Sequence, residues 1–509
     1  MNWYDMSAGN MDIQINVEQG IIQEVEADTI ILNLFEGVKE PGGATGAVDK
    51  DLDGAITELI TNGDFSGKAS EIAVIYPRGA ITARRVILVG LGKRDEYDLE
   101  TVRKAAAFAI KRARGQNGKN VATIIHGGSV SGINIDDAAQ ATVEGSILAL
   151  YRYHAKKQKD EPDQKIQSLN IVEFDDKKLP DIKSGVNTAK AVTSGVYLAR
   201  DLVNLPPNIA TPTKMASVAG EIAEEYGMKL TVGDREWAAE RQMGAFLAVA
   251  KGAGEPPKFI VLEHKGNHED LDTLVLVGKG ITFDTGGISI KPTAGMGNMK
   301  SDMAGAAAVL GTMLTVGMLD LPFHIVGIAP CTENMPDANA YRPADVITAS
   351  NGKTIEIVST DAEGRMILAD GLVFAGGYEP QVVIDLATLT GSCVIALGKG
   401  IAAGLFSNEN KLRDRLVSSS KATHERVWTM PLWDDYKKII KSDVADMKNG
   451  GGRYGGVGAS AIFLKEFTNY PWAHLDIAGM ALTDKESDYI PSGGTGFGVR
   501  LLVDFLRNW

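Results

Sequence analysis

The sequence predicts an α/β protein of two domains, each a mainly parallel or mixed sheet flanked by helices. Short apolar runs rich in β-branched residues alternate with helical patterns along the whole chain, which is the rhythm of βαβ units. Its 57 glycines cluster between those runs, where α/β loops fall. A length of 509 residues exceeds what one small core can organise.

In the first part, strands are expected at 29–34, 71–76, 85–89 and 121–125, with helices at 99–113 and 136–152 between them. The charged run HAKKQKDEPDQK at 154–165 reads as a solvated loop. A helix is expected over 186–203, and Pro206, Pro207 and Pro212 beyond it cannot continue it. This places an N-terminal α/β domain at 1–184, a connecting helix at 185–205 and a second domain at 206–509. Strands of the second domain are expected at 258–263, 273–277, 324–328, 354–358 and 381–386.

The formal net charge of −13 argues against a generally basic nucleic-acid surface. Cys331 and Cys393 are the only cysteines, so no disulfide framework holds the fold, which suits a reducing compartment. The N-terminus has no basic start followed by an apolar core, as a secretory signal would. No apolar run in the sequence approaches the roughly 20 residues of a membrane span. The expected location is the cytoplasm.

The chemistry is expected beyond the strand ends. After 273–277 comes GKGITFDTGGISIKP, with Lys279, Asp284 and Lys291. AGMGNMKSD ends in Asp302. After 354–358 comes STDAEGR, with Asp361, Glu363 and Arg365. Parallel α/β sheets bind ligands beyond the carboxyl ends of their strands, so these residues are expected at one edge. Four carboxylates in one cleft repel each other and persist together when a cation neutralises them. Such a set could hold two metals about 3.5–4 Å apart. From the pattern alone, surface charge at strand ends stays equally open, and for Lys279 a salt bridge to a carboxylate is the preferred reading. HExxH, GxSxG, CxxC and Walker A motifs are absent, so zinc-finger and serine-hydrolase classes drop out. The scattered His126, His154, His264, His268, His324, His424 and His474 read as structural.

At these residues the chain resembles a known family. STDAEGR is similar to the NTDAEGRL signature of the leucyl aminopeptidases, also called cytosol aminopeptidases. GKGITFDTGGISIKP, MKSDMAGAAAV, RDLVNLPPN, ATLTG, NGGGRYGG and WAHLDIAG resemble further blocks of that family. The resemblance spans most of 195–500, while the first 180 residues match mainly in length and α/β character.

The resemblance implies a metallo-aminopeptidase whose C-terminal domain is catalytic and whose N-terminal domain serves oligomerisation or access. It implies two divalent ions per subunit, Mn2+ or Zn2+. Asp284 and Glu363 would bridge them, Asp361 would complete the more exchangeable site, and Lys279 and Asp302 the tighter one. A lysine ligand must be neutral; moving its pKa from about 10.4 to 7 costs roughly 4–5 kcal/mol, which a neighbouring dication can offset. Arg365 would hold a bicarbonate-type anion acting as general base, and Lys291 would stabilise the tetrahedral species. Met299, Thr388, Leu389, Gly391 and Ala478 would line the pocket for the first side chain, suiting leucine or methionine. Partners implied are short peptides with a free N-terminus and five further copies in a homohexamer. The substrate amine would bind neutral, giving a neutral-to-alkaline optimum.

The chain departs from the signature at Ser359, where the family has asparagine, and at Met366, where it has leucine. Ser359 is expected to alter substrate preference or metal affinity rather than abolish catalysis. A second function, DNA binding as in some bacterial members, would need a basic patch from Arg103, Lys104, Lys111, Arg112, Arg114 and Lys119. A solvated helix face is the competing reading of those residues.

Overall fold

The computed structural model describes residues 13–127, 132–153, 165–266, 270–452 and 454–509. His154, His268 and all of the 154–165 run except Lys165 lie outside the described residues. The chain forms two compact units, one containing residues up to Thr193 with Glu486–Pro491, the other Ser194–Lys485 with Ser492–Trp509. The division falls inside one long helix, Leu179–Asn204.

The first unit is built on β1 (Gln14–Gln19), β2 (Thr29–Leu34), β3 (Ile72–Ile75), β4 (Arg85–Gly90), β5 (Asn120–Thr123) and β6 (Ser168–Glu173). They run in the order β1-β6-β5-β2-β4-β3, all parallel except β3, which is antiparallel to β4. β2 and β4 are apolar and buried almost throughout, as strands covered on both faces must be. Ile30, Leu32, Val86 and Leu88 pack one face onto Val48, Ile56 and Phe65. The helix Leu99–Gly115 starts where the Asp98 carboxylate accepts from the Thr101 amide at 2.8 Å, a side-chain cap for an otherwise orphaned donor.

The basic residues of this helix do not make one exposed surface. Arg103 is buried, with its Nε 2.8 Å from Glu144 and Nη1 3.7 Å from Glu100. Lys104 lies 3.6 Å from Asp488, and Lys111 pairs with Glu486 and donates to the Asp488 carbonyl. Three of the six residues of the expected patch are therefore committed to carboxylates within the unit.

The second unit carries a mixed sheet of nine strands. These are β7 (Lys229–Gly233), β8 (Lys258–His264), β9 (Thr273–Gly278), β10 (Gly280–Asp284), β11 (His324–Asn334), β14 (Val382–Ala387), β15 (Ala403–Ser407), β16 (Val427–Thr429) and β18 (Trp472–Asp476), while β12 (Val346–Thr348), β13 (Thr354–Glu356) and β17 (Met447–Lys448) form a separate small sheet. The large sheet runs β16-β15-β18-β14-β9-β11-β8-β7, with β10 beside β11. β18, β14, β9 and β11 are mutually parallel.

The expectation that 354–358 belongs with the main strands is corrected. Only Thr354–Glu356 is extended, in the small sheet, where it pairs antiparallel with β12 and parallel with β17. The run Met296–Leu319, with mean hydropathy 1.5, is long and apolar enough to cross a membrane, contrary to the reading of the sequence. Its apolar window is 83% buried inside the protein, which marks it as a core helix.

Candidate active site

The carboxyl ends of β9, β10, β14 and β18 share one edge of the sheet, and each delivers a side chain or loop to it. Lys279 follows β9, Asp284 closes β10, Thr388 and Leu389 follow β14, and Ala478 follows β18. Asp302 ends the turn Met296–Ser301 just before the helix Ala304–Leu319. Glu363 and Arg365 lie in the first turn of the helix Glu363–Gly376, with Asp361 two residues ahead of it.

These residues converge. Lys279 Nζ donates to Asp302 Oδ1 at 2.9 Å, lies 2.8 Å from Oδ2 off the hydrogen-bonding direction, and lies 2.9 Å from Glu363 Oε1. It also donates to the Thr388 carbonyl at 2.9 Å. Lys291 Nζ bridges Asp284 Oδ2 at 2.8 Å and Asp361 Oδ1 at 2.5 Å. The carboxylates of Asp284, Asp361 and Glu363 offer ligand atoms that all lie within 4.8 Å of one another. The salt bridge preferred for Lys279 from the residues alone is thus present.

Gly364 makes the convergence possible. A Cβ there would fall 2.4 Å from Lys279 Cε and 2.6 Å from Nζ, so any larger residue would displace the lysine. Gly286, at φ +87°, turns the chain after Asp284 where a Cβ would sit 2.8 Å from Asp361 Oδ1.

The electrostatics are frustrated. Burial would depress Lys279, yet Asp302, Glu363 and Asp284 outweigh it and hold the ammonium above its usual range. Burial and the neighbouring Glu363 lift Asp284 to about 6 against the pull of both lysines. Burial pushes Asp302 well above the usual carboxylate range and Asp361 above it as well, whereas Lys279 and Lys291 overcome burial to hold Glu363 low. Four carboxylates against two ammonium groups leave positive charge in deficit, which is the condition that favours a cation. The donor set, all carboxylate oxygens apart from the lysines, fits hard or borderline divalent ions.

Arg365 is buried, and burial lowers its pKa to about 10 against the opposing pull of Glu363 and Asp476. Its Nη1 donates to the Asn449 carbonyl at 2.8 Å, while its Nε is buried without a partner among the described residues. An orphaned guanidinium donor is costly unless an acceptor arrives, so the site fits a bound anion. Ser359 Oγ accepts from the Asp361 amide at 3.2 Å, a short local bond that holds the loop.

Three organising residues were not singled out in the sequence, although Asn449 and Asp476 lie in the NGGGRYGG and WAHLDIAG blocks. Asn334 Nδ2 donates to Asp284 Oδ1 at 2.8 Å and to the Thr360 carbonyl at 3.0 Å. Asn449 clamps the STDAEGR loop, accepting from the Val358 amide at 2.8 Å and donating to the Ser359 carbonyl at 2.7 Å. Asp476 gathers the pocket loops, accepting from Thr390 Oγ1 at 2.7 Å and from the Leu389 and Ala478 amides at 3.3 and 3.2 Å. Thr388 Oγ1 donates to Asp302 Oδ1 at 2.7 Å, so the pocket loop touches the carboxylate cluster directly. Met299, Thr388, Leu389 and Ala478 are half-buried and Gly391 is exposed. His126, His264, His324, His424 and His474 stand outside the cluster; His474 is buried with its Nδ1 2.6 Å from Asp385.

Comparisons with known proteins assign the chain to a family. Residues 197–503 match the model of the cytosol aminopeptidase family, catalytic domain, and residues 31–160 match that family's N-terminal domain. A "Probable cytosol aminopeptidase" of Roseiflexus castenholzii is 43% identical over 98% of this chain and 99% of its own length. Its namesake in Alkaliphilus oremlandii is 40% identical over the same shares. Among solved structures, a mutant of tomato leucine aminopeptidase aligns with a TM-score of 0.86 at 33% identity, covering 98% of this chain and 97% of that one. The bottromycin maturation enzyme BotP in complex with Mn aligns with a TM-score of 0.82 at 32% identity, covering 95% and 99%. With family models covering both parts of the chain and full-length relatives at this identity, the chain belongs to the cytosol aminopeptidase family, whose members are metal-dependent hydrolases acting on peptides.

Proposed function

We propose that this chain removes the N-terminal residue of short peptides, preferring leucine, methionine or another apolar residue, with two divalent ions held by Asp284, Asp361, Glu363, Asp302 and Lys279. The observation that carries this reading is the buried excess of carboxylates over lysines at one sheet edge. Mn2+ and Zn2+ both suit the donors, and the manganese complex of BotP favours testing Mn2+ first. When bound, the ions supply Lewis-acid polarisation of the scissile carbonyl and a nucleophile at neutral pH.

The chain's own residues do the rest. Asp361, with 37% of its side chain exposed against 2–7% for Asp302 and Glu363, suits the more exchangeable position. Lys291, whose side chain is part-exposed at the cluster, donates to the developing oxyanion. Arg365, through its unpartnered Nε, holds a bicarbonate-type anion that takes a proton during attack. Met299, Thr388, Leu389, Gly391 and Ala478 form the first side chain's pocket, with Asp476 fixing the backbone of Leu389 and Ala478. The working form is a cytoplasmic homohexamer, in line with the family resemblance.

Chelated protein given back single metals and assayed on a panel of aminoacyl substrates tests this reading. Activity is expected with Mn2+ or Zn2+, highest on leucyl and methionyl substrates and at neutral to alkaline pH. No hydrolysis with any metal, or a rate maximum below about pH 6 where α-amines are almost fully protonated, would overturn it.

A further inference from the structure

The first unit holds a cavity of about 400 Å3, within the range of small-molecule sites. It opens beyond the carboxyl ends of β1, β5 and β6, the edge where parallel sheets bind ligands. Nothing in the aminopeptidase reading uses it.

Its wall is apolar, with Ile22, Ile125 and Val172 buried. Of its lining residues Phe174 is 73% and Ile21 46% exposed, so apolar surface at the cavity is left in water. Three polar groups face the same space with unmet capacity. Gln23 Oε1 is buried without a hydrogen-bond partner among the described residues. Among the described residues the Glu173 carboxylate accepts only the nearby Asp175 amide, at 3.0 Å, and forms no ion pair. Lys178 also forms no ion pair among them; its ammonium lies 6.0 Å from the Phe174 ring centroid. Gly43 and Ala44, in the uncapped first turn of the helix Gly43–Asp51, also line the space.

An apolar enclosure with one unpaired cation, one unpaired anion and one orphaned acceptor matches a small zwitterion with an apolar side chain. We propose that this cavity binds a free apolar L-amino acid. Its carboxylate lies toward Lys178 and the amides at the helix start, its ammonium toward Glu173 and Gln23 Oε1, and its side chain against the isoleucines. A purely anionic ligand would leave Glu173 unmatched, and a purely cationic one would leave Lys178 unmatched. The inference rests on the cavity alone and stands whether or not the chain is an aminopeptidase.

Hydrogen-exchange mass spectrometry on the full chain with L-leucine separates this site from the other unit by peptide position. L-leucine is expected to protect segments 20–23, 43–47 and 172–178. Ala47→Phe, at an exposed position beside the opening, is expected to raise the half-saturating leucine concentration for those segments at least tenfold. Lys178→Met and Glu173→Gln are each expected to raise it at least fivefold, and 4-methylpentanoate and leucinamide to bind at least fivefold more weakly than L-leucine. Absence of leucine-dependent protection there in the unsubstituted protein would overturn the proposal. So would protection unchanged in Ala47→Phe, or equal protection by 4-methylpentanoate.

Discussion

Gly364 shapes the site by the side chain it lacks. It leaves room for Lys279 to reach between Asp302 and Glu363. Gly364→Ala is therefore expected to lower kcat/KM on a leucyl substrate at least about tenfold, since small displacements of reacting groups cost that much, with an unchanged circular dichroism spectrum. Activity equal to the parent would show that Lys279 is free to move without consequence. Ser359 offers a finer probe. Its hydroxyl holds the Asp361 amide, and Ser359→Asn is expected to shift substrate preference or metal affinity; identical specificity and affinity would remove Ser359 from the account. The charged members of the site were legible in the sequence because they sit in short blocks with the family's spacing. Asn334 lies in no such block and the clamping role of Asn449 does not show in its own, because both work by hydrogen bonds to groups 26 to 91 positions away in the chain.

Among the elements, β-branched apolar runs were readable, down to the four-residue β3 and β5, while strands without that signature, such as the fully buried β18, were not. β2, β4, β9 and β14 are buried along most of their length and stand out as β-branched stretches. β1, QINVEQ, alternates in burial and carries no run to notice. The TIEIV run has strand propensity, but propensity reports fit to a pleated surface and not which sheet receives it; Val358 ends up 40% exposed. A loop at the end of β5 makes a separate prediction. Buried His126 accepts from Asn33 Nδ2 on its Nδ1 at 3.1 Å, and burial lowers its pKa from 6.5 to about 4. The unfolded chain thus binds the proton first as pH falls, so stability is full above about pH 6.5, falls toward pH 4, and the loss totals about 3 kcal/mol. Hydrogen exchange of β2 and β5 against pH checks this, with His126→Asn expected to flatten the acid-side loss. An equal loss in that variant would assign it to other groups.

On the scale of the whole molecule, the two units keep separate cores, and their chemistry divides in the same way. The catalytic unit concentrates buried charge that a cation would relieve, whereas the first unit's cavity is mostly apolar. The central claim is that the carboxylate cluster holds two ions that together support hydrolysis. Its most direct test is a titration of chelated protein with Mn2+, following bound metal per chain and leucyl-substrate hydrolysis together. The account predicts saturation at two ions per chain, with full activity only when both are bound, and Glu363→Gln retaining less than one. Saturation at a single ion with full activity, or full activity in the chelated protein, would contradict it.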